Sequence, residues 1–250
     1  MVGAAPAEWI HFPKAPIKEA ILDIRAKLPS SVDLDRLSTF QDTIRDHYPK
    51  KLERIRWQAR IGLKEGEMDS AAKREIDGYM FISTDGKDLV QARLDGLTLN
   101  RLRPYDKWQT FRDEARKLWE RYLAIAEPEA VTRVALRYIN RLELPLSMRD
   151  FKDYILTTPE IAPSLPQGLK TFFMRLEIPD DRYKAIALVT ETMEPPEKKL
   201  LPFIFDIDVI REAQFDPMGR EIWDTFESLR NFKNEIFFNS ITDKAKELFQ

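Results

Sequence analysis

The sequence predicts an α+β fold in which two related halves share one curved antiparallel sheet, with long helices packed on one face. Each half has the same order of predicted elements: a strand, a helix, several strands that follow one another closely, and a long helix. Strands joined by short connections pair antiparallel, and helices segregated to one face complete such a fold. Two pairs of similar segments at nearly one spacing indicate that the halves are related.

The clearest strand covers residues 131–145, where apolar and polar residues alternate. Strict alternation is typical of a strand with one buried face. The polar face carries Arg133, Arg137 and Arg141, and Pro145 ends the run because proline cannot donate to a strand ladder. The predicted core face contains Val134, Leu136, Tyr138, Leu142 and Leu144, with Asn140 as the polar exception.

Residues 18–29 resemble residues 134–145 when shifted by about 116 positions. A second similarity, between residues 108–111 and 223–226, has nearly the same offset. Coincidence between ordinary strand and helix patterns is the alternative, and an internal duplication is the interpretation we favour. It divides the chain into an N-terminal arm (1–16), a first half (17–128) and a second half (129–250), which together form one structural unit.

The first half begins with a strand over residues 19–28. A helix follows over residues 34–47, since Asp33 is a suitable N-cap, apolar residues recur at helical spacing and Pro49 stops it. In the arm that precedes the strand, Trp9, Ile10 and Phe12 are expected to dock on the body of the protein.

Residues 54–64 alternate and predict a strand that directs Ile55 and Trp57 to the core. Residues 65–75 are polar and predict a loop. The remaining elements of this half are a hairpin with an Asp-Gly turn, which tolerates positive φ, a short strand, and a helix with a broad apolar stripe. They cover residues 78–83, 89–94, 97–102 and 108–126.

The second half repeats this order after the central strand. A short helix is predicted first, then a pair of strands around a proline-aspartate turn, a further alternating strand, a long amphipathic helix and a short terminal helix that Thr242 can cap. These elements cover residues 148–156, 171–178, 183–192, 202–212, 219–238 and 239–250.

Composition limits the possible functions. The chain has 250 residues, 43% of them hydrophobic and 33% charged, which allows a sizeable core. It has no cysteine, which excludes disulfides, cysteine nucleophiles and thiolate metal sites, and its two histidines leave little room for histidine chemistry. A net charge of -2 argues against general affinity for polyanions. No signal peptide or long apolar span is apparent, so we expect a cytoplasmic protein without membrane contact.

Basic side chains recur on the predicted polar sheet face, and they are the candidate binding residues. They either pair with carboxylates of neighbouring strands or form a binding surface, since arginine binds carboxylates and phosphates in bidentate geometry. Asp206 and Asp208 point the same way from one strand; they are either partners of these arginines or, as the weaker alternative, ligands of Mg²⁺. The basic candidates are Arg25, Arg56, Arg60, Arg133, Arg137 and Arg141.

Two resemblances bear on function. Residues 23–27 are faintly similar to the N-terminal strand of triphosphate tunnel enzymes, but Asp23 and Arg25 stand where that family has two glutamates. Most of the chain resembles a sporadically distributed, uncharacterised family of bacterial proteins. The similar segments are residues 14–25, 81–91, 103–108, 136–141 and 233–242. This second resemblance implies a bacterial, cytoplasmic protein with an accessory role, such as a partner in a defence or toxin-neutralising system, and it supplies no catalytic residues.

We therefore expect a non-enzymatic binding or regulatory protein that holds a protein partner through its charged sheet face or its arm. One alternative is a metal-dependent enzyme acting on a phosphorylated or nucleotide substrate. It would use arginines as phosphate clamps and Asp206 and Asp208 as Mg²⁺ ligands. The other alternative is a saddle-type nucleic-acid-binding module, which predicts salt-sensitive binding.

Overall fold

A computed structural model describes residues 9–64 and 67–250, and within these ranges the side chains outside residues 57–73. The fold is α+β, as predicted, and the nine strands of the described residues form one antiparallel sheet. The strands are β1 (Ile17–Lys27), β2 (Lys50–Lys64), β3 (Glu67–Ile82), β4 (Asp88–Arg93), β5 (Gly96–Leu102), β6 (Ala130–Pro145), β7 (Phe173–Asp180), β8 (Ala185–Met193) and β9 (Leu200–Phe215). The helices are α1 (Leu34–Ser38), α2 (Phe40–Ile44), α3 (Trp108–Ala126), α4 (Glu221–Ser240) and α5 (Asp243–Glu247).

The strand order across the sheet is β2-β3-β4-β5-β1-β6-β9-β8-β7. The two strands whose sequences resemble each other, β1 and β6, are therefore neighbours at the centre, and Leu22 of β1 lies opposite Leu136 of β6. Going outwards, β5 follows β1 on one side and β9 follows β6 on the other. The central strands thus carry side chains from both ends of the chain.

The burial of side chains in β6 confirms the predicted alternation of this strand. Its five predicted apolar residues are all nearly inaccessible to solvent. Asn140, the polar exception, is also buried, and its amide donates a hydrogen bond of 2.9 Å to the carbonyl of Phe205 on β9. A buried amide with such a partner avoids most of the cost of desolvation. The polar residue is therefore part of the core.

Helix α4 contacts an apolar side chain of the sheet, and helix α3 contacts the segment that leads into α4. The ring centroids of Phe237 on α4 and Phe205 on β9 are 5.9 Å apart. On α3, Trp119 donates a hydrogen bond of 2.9 Å to the carbonyl of Pro217, just before α4. The bounds and the buried stripe of α3 are as predicted, and the helix ends where Glu127 adopts a left-handed conformation.

Four predictions about the helices and strands were wrong. The helix expected over residues 34–47 is broken at Thr39, whose hydroxyl donates to the carbonyl of Arg36 and so competes with helical bonding. The helix expected over 148–156 is a single 3₁₀ turn at Phe151–Asp153. Residues 67–75 belong to β3 and not to a loop. Their backbone pairs with β2 although their sequence does not alternate between apolar and polar residues. Ile55 is exposed on the edge strand β2, which has a neighbour on only one side.

The described part of the arm, from Trp9 onwards, docks on α4 and α5. The indole of Trp9 stacks on Phe238 at a centroid distance of 5.1 Å, and Phe12 is buried against the same ring. The backbone of Lys14 donates to the carbonyl of Phe249. Ile10 points outwards, contrary to expectation, because the docked segment can bury only some of its side chains. Residues 1–8 of the predicted arm lie outside the described residues.

Candidate protein-binding face

The second side of the sheet carries the predicted binding residues. Residues paired directly across neighbouring strands share a face. Arg25 of β1 pairs with Arg133 of β6, and Arg137 of β6 pairs with Asp208 of β9, which in turn pairs with Leu188 of β8. We call this surface the charged sheet face. Its charged members at the centre of the sheet are Asp23, Arg25, Arg133, Arg137, Arg141, Asp206 and Asp208.

Asp23 is the centre of an ion-pair cluster on this face. Its carboxylate accepts hydrogen bonds from Arg93 at 2.8 Å, Thr98 at 2.6 Å, Arg25 at 3.1 Å and Arg133 at 3.3 Å. Burial opposes ionisation of Asp23, but the charges of Arg93 and Arg25 outweigh it and hold the pKa of the carboxyl below its usual value. The cluster therefore fixes a charged carboxylate under two of the predicted arginines.

The other two described arginines of β6 have carboxylate partners of their own. Arg137 binds Asp206 in bidentate geometry, with distances of 2.8 and 2.5 Å from Nε and Nη2. Arg141 donates to Glu194 at 2.8 Å and to Glu197 at 2.5 Å, and it also contacts Glu143. Bidentate pairs of this kind are the strongest that arginine makes with a carboxylate.

The structure brings only some of the predicted basic residues together. Arg25 and Arg133 share Asp23, while Arg137 and Arg141 follow along β6. Arg56 is exposed on β2, which is four strands away from β1 and so roughly 19 Å from it. The side chain of Arg60 lies outside the described residues.

The suggested Mg²⁺ ligands are close to arginines. Asp206 is already bound by Arg137. Burial raises the pKa of Asp208, although Arg137 and Arg133 counteract this effect. Within the described residues, no group of three or more histidine or acidic side chains is placed to hold a metal ion. A metal at this position would have to displace the Arg137 guanidinium from Asp206.

The same face carries exposed apolar side chains that are not among the binding residues predicted from the sequence. Ile186 of β8 is 40% exposed and lies in one row with Ala135 and Ile210. Phe173 of β7 is 71% exposed and lies in the row of Arg141. These two residues could have been identified from the sequence, because the alternation of residues in β7 and β8 assigns Phe173 and Ile186 to the face opposite the core.

Neither a scan against protein-family models nor a search of curated proteins finds a match to this chain. Among the described residues, no helix has the length and apolar character needed to cross a membrane.

Proposed function

We propose that this protein is a non-enzymatic binding or regulatory protein of a bacterial accessory system, and that the charged sheet face holds a protein partner. The observation that carries the proposal is the combination of arginines already paired with carboxylates and exposed apolar side chains on one surface. Protein-binding surfaces favour arginine and aromatic residues around an apolar centre. The outer half of the sheet, from β6 to β7, has this composition.

The charge balance favours a protein over a phosphate-rich ligand. Each of Arg25, Arg133, Arg137 and Arg141 has at least one carboxylate partner. A phosphate would have to compete with these carboxylates for the same donors, at a cost in broken ion pairs. A protein surface of mixed charge can instead use the donors that remain. Arg137, for example, binds Asp206 through Nε and Nη2 and leaves Nη1 without a partner in the described structure.

We infer two further features of the fold. The first is that both long helices cover the apolar side of the sheet and leave the charged sheet face open; the contact between Phe237 of α4 and Phe205 supports it for that helix. The second is that the halves arose by duplication. The strand order supports this, because the first strand of each half is central and the last strand of each half is next to it.

The two alternative functions remain predictions that the geometry favours less. A Mg²⁺-dependent enzyme would need Asp206 free of Arg137. A saddle-type nucleic-acid-binding module would need basic charge that carboxylates on the same face do not offset. A role in defence or toxin neutralisation stays within the proposal and rests on the resemblance alone.

The experiment compares partner capture by wild-type protein and by an I186E/F173S variant expressed in the natural host. Both side chains are exposed on the charged sheet face, so their replacement leaves the core intact. M218S is the matched control, because Met218 is 78% exposed in the segment before α4. Replacing the arginines would be less informative, since Asp23 and Asp206 would lose their partners.

We expect the partner captured by the wild type to bind I186E/F173S at least about tenfold more weakly and M218S equally well, as measured by titration of the purified partner. Circular dichroism and urea unfolding establish that both variants are folded. Equal binding by the wild type and I186E/F173S would contradict the proposed surface.

A further inference from the structure

A small cavity lies on the core side of the sheet, between the docked arm, α4 and the segment that leads into α3. Its volume is about 120 Å³. Aromatic rings form much of its wall, including those of Trp9, Tyr105 and Phe237. A cavity of about 150 Å³ holds one benzene molecule, so this one accepts a ligand of about one ring or a short branched chain.

Two cationic side chains of α4 line this cavity. Arg230, Lys233 and Asn234 are three and four residues apart, so they lie on one face of the helix. Lys233 is only 8% exposed. Its ammonium lies 4.0 Å from the centre of the Tyr138 ring and donates no hydrogen bond to any described residue. A buried ammonium normally has an anionic or hydrogen-bonding partner, because its desolvation is costly.

The other polar groups of the wall do not supply this partner. The hydroxyls of Tyr105 and Tyr138 bind each other at 2.7 Å. Arg230 lies 3.9 Å from Glu227, which already accepts hydrogen bonds from Trp108 and Arg112. Asp106 also lines the cavity, but within the described structure it forms no ion pair with Lys233 or Arg230. The cavity therefore has more positive charge than its own residues balance.

We propose that this cavity binds a small organic carboxylate. Its anionic group would be held by the ammonium of Lys233 and the guanidinium of Arg230. The apolar part of the ligand would pack against the aromatic wall, where a ring or a branched chain replaces water. The side-chain amide of Asn234, which is buried and makes no hydrogen bond to a described residue, lies one residue from Lys233 and is a further donor.

Protonation of Lys233 gives the site a distinctive pH dependence. Burial and the charge of Arg230 lower the pKa of Lys233 to about 7 in the absence of ligand. The titratable and charged groups around it are His11 of the arm, Asp106 and Tyr105 before α3, Tyr138 of β6 and Arg230 of α4. A bound carboxylate favours the charged ammonium, so binding at about pH 8 should take up a proton.

Binding of benzoate, measured by calorimetry at about pH 6.5, tests this proposal, with phenylacetate and 4-methylpentanoate as further acids and benzamide as the neutral analogue. We expect at least one acid to bind with a Kd of about 1 mM or lower. Benzamide should bind at least about tenfold more weakly than benzoate, and the affinity of the bound acid should fall as the pH rises above about 7.

The variant K233M distinguishes the contribution of the ammonium to binding from that of the apolar cavity. It should weaken acid binding at least about tenfold and remove its pH dependence, because it replaces the charged group by an apolar chain of similar length. K170M is the control, since Lys170 is exposed in the loop before β7. Absence of binding by all three acids at about 10 mM, equal affinity for benzoate and benzamide, or unchanged affinity in K233M would overturn the proposal. The cavity is on the side of the sheet opposite the charged sheet face, so this test is independent of the proposed partner.

Discussion

Glu191 of β8 is a buried carboxyl group without a partner. It is 1% exposed, and neither of its oxygens has a hydrogen-bond partner in the described structure. It points to the core side, where Met174 of β7 and Phe205 of β9 are its neighbours across the sheet. Burial raises its pKa from 4.5 to about 7. The group therefore makes stability depend on pH between about pH 4.5 and pH 7.

The sign follows from the two protonation states. Between about pH 4.5 and pH 7, the unfolded chain has released the proton of Glu191 while the folded chain keeps it. The free energy of unfolding therefore decreases across this range and levels off above it. We predict that the difference in the free energy of unfolding, E191Q minus wild type, increases by about 3 kcal/mol between pH 4 and pH 8.

Urea unfolding at the two pH values measures this difference, and any constant cost of the buried amide cancels in it. E160Q is the matched control, because the Glu160 side chain is 85% exposed. The same pH trend in E191Q and the wild type would refute the assignment.

For single residues, sequence patterns predict the face of the strand or helix better than they predict the contacts that the side chain makes there. Asn140 was identified as a polar residue in an apolar register, but its bond to Phe205 depends on the neighbouring strand. Glu191 and Lys233 could not be recognised as buried charges. A single polar residue in a strand or helix pattern is equally compatible with a solvated position, and only the packing of distant segments decides between the two.

The short connection between β4 and β5 positions the central ion-pair cluster. Asp95 in this connection accepts a hydrogen bond from Arg93 at 2.8 Å and contacts Arg25. Its carbonyl also accepts from the backbone of Ala26. The next residue, Gly96, has φ 137°, and a Cβ there would lie 1.9 Å from the carbonyl oxygen of Ile24. Glycine is required here for both conformation and space.

We predict that G96A lowers the free energy of unfolding by about 2–4 kcal/mol, because the added methyl group must push β5 away from β1. Thermal and urea unfolding measure the loss. G168A is the control: a Cβ at Gly168 meets no atom within 4 Å. A loss in G96A no greater than that in G168A would be incompatible with the close approach of the two strands.

The predictability of an element depended on where its stabilisation comes from. The bounds of α3 were predicted to the residue because its apolar stripe and its ends are encoded locally. The continuation of β3 over residues 67–75 was not, since that segment is a strand through its backbone pairing with β2. The break at Thr39 also depends on one side-chain hydrogen bond that competes with the helix.

At the scale of the whole molecule, the antiparallel sheet shared by residues of both halves follows from the sequence, but the pairing of β1 with β6 does not. Alternation predicts which face of the sheet each residue of a strand occupies, but it does not predict which strand lies beside it. The face of Arg25, Arg133, Arg137 and Arg141 was therefore predictable, whereas their carboxylate partners on other strands and loops were not. The exposed Ile186 of β8 indicates a binding surface only because those arginines lie on the same face.

The most direct test of the central claim uses the absence of cysteine from the chain, which allows one thiol to be placed at will. Ile186→Cys, labelled with a benzophenone photo-crosslinker, places the probe on the charged sheet face, and Met218→Cys places it before α4. We predict that irradiation of the complex joins the partner to position 186 and not to position 218, as identified by mass spectrometry. Crosslinking at position 218 alone, or equal yields at both positions, would contradict a partner-binding function for this face.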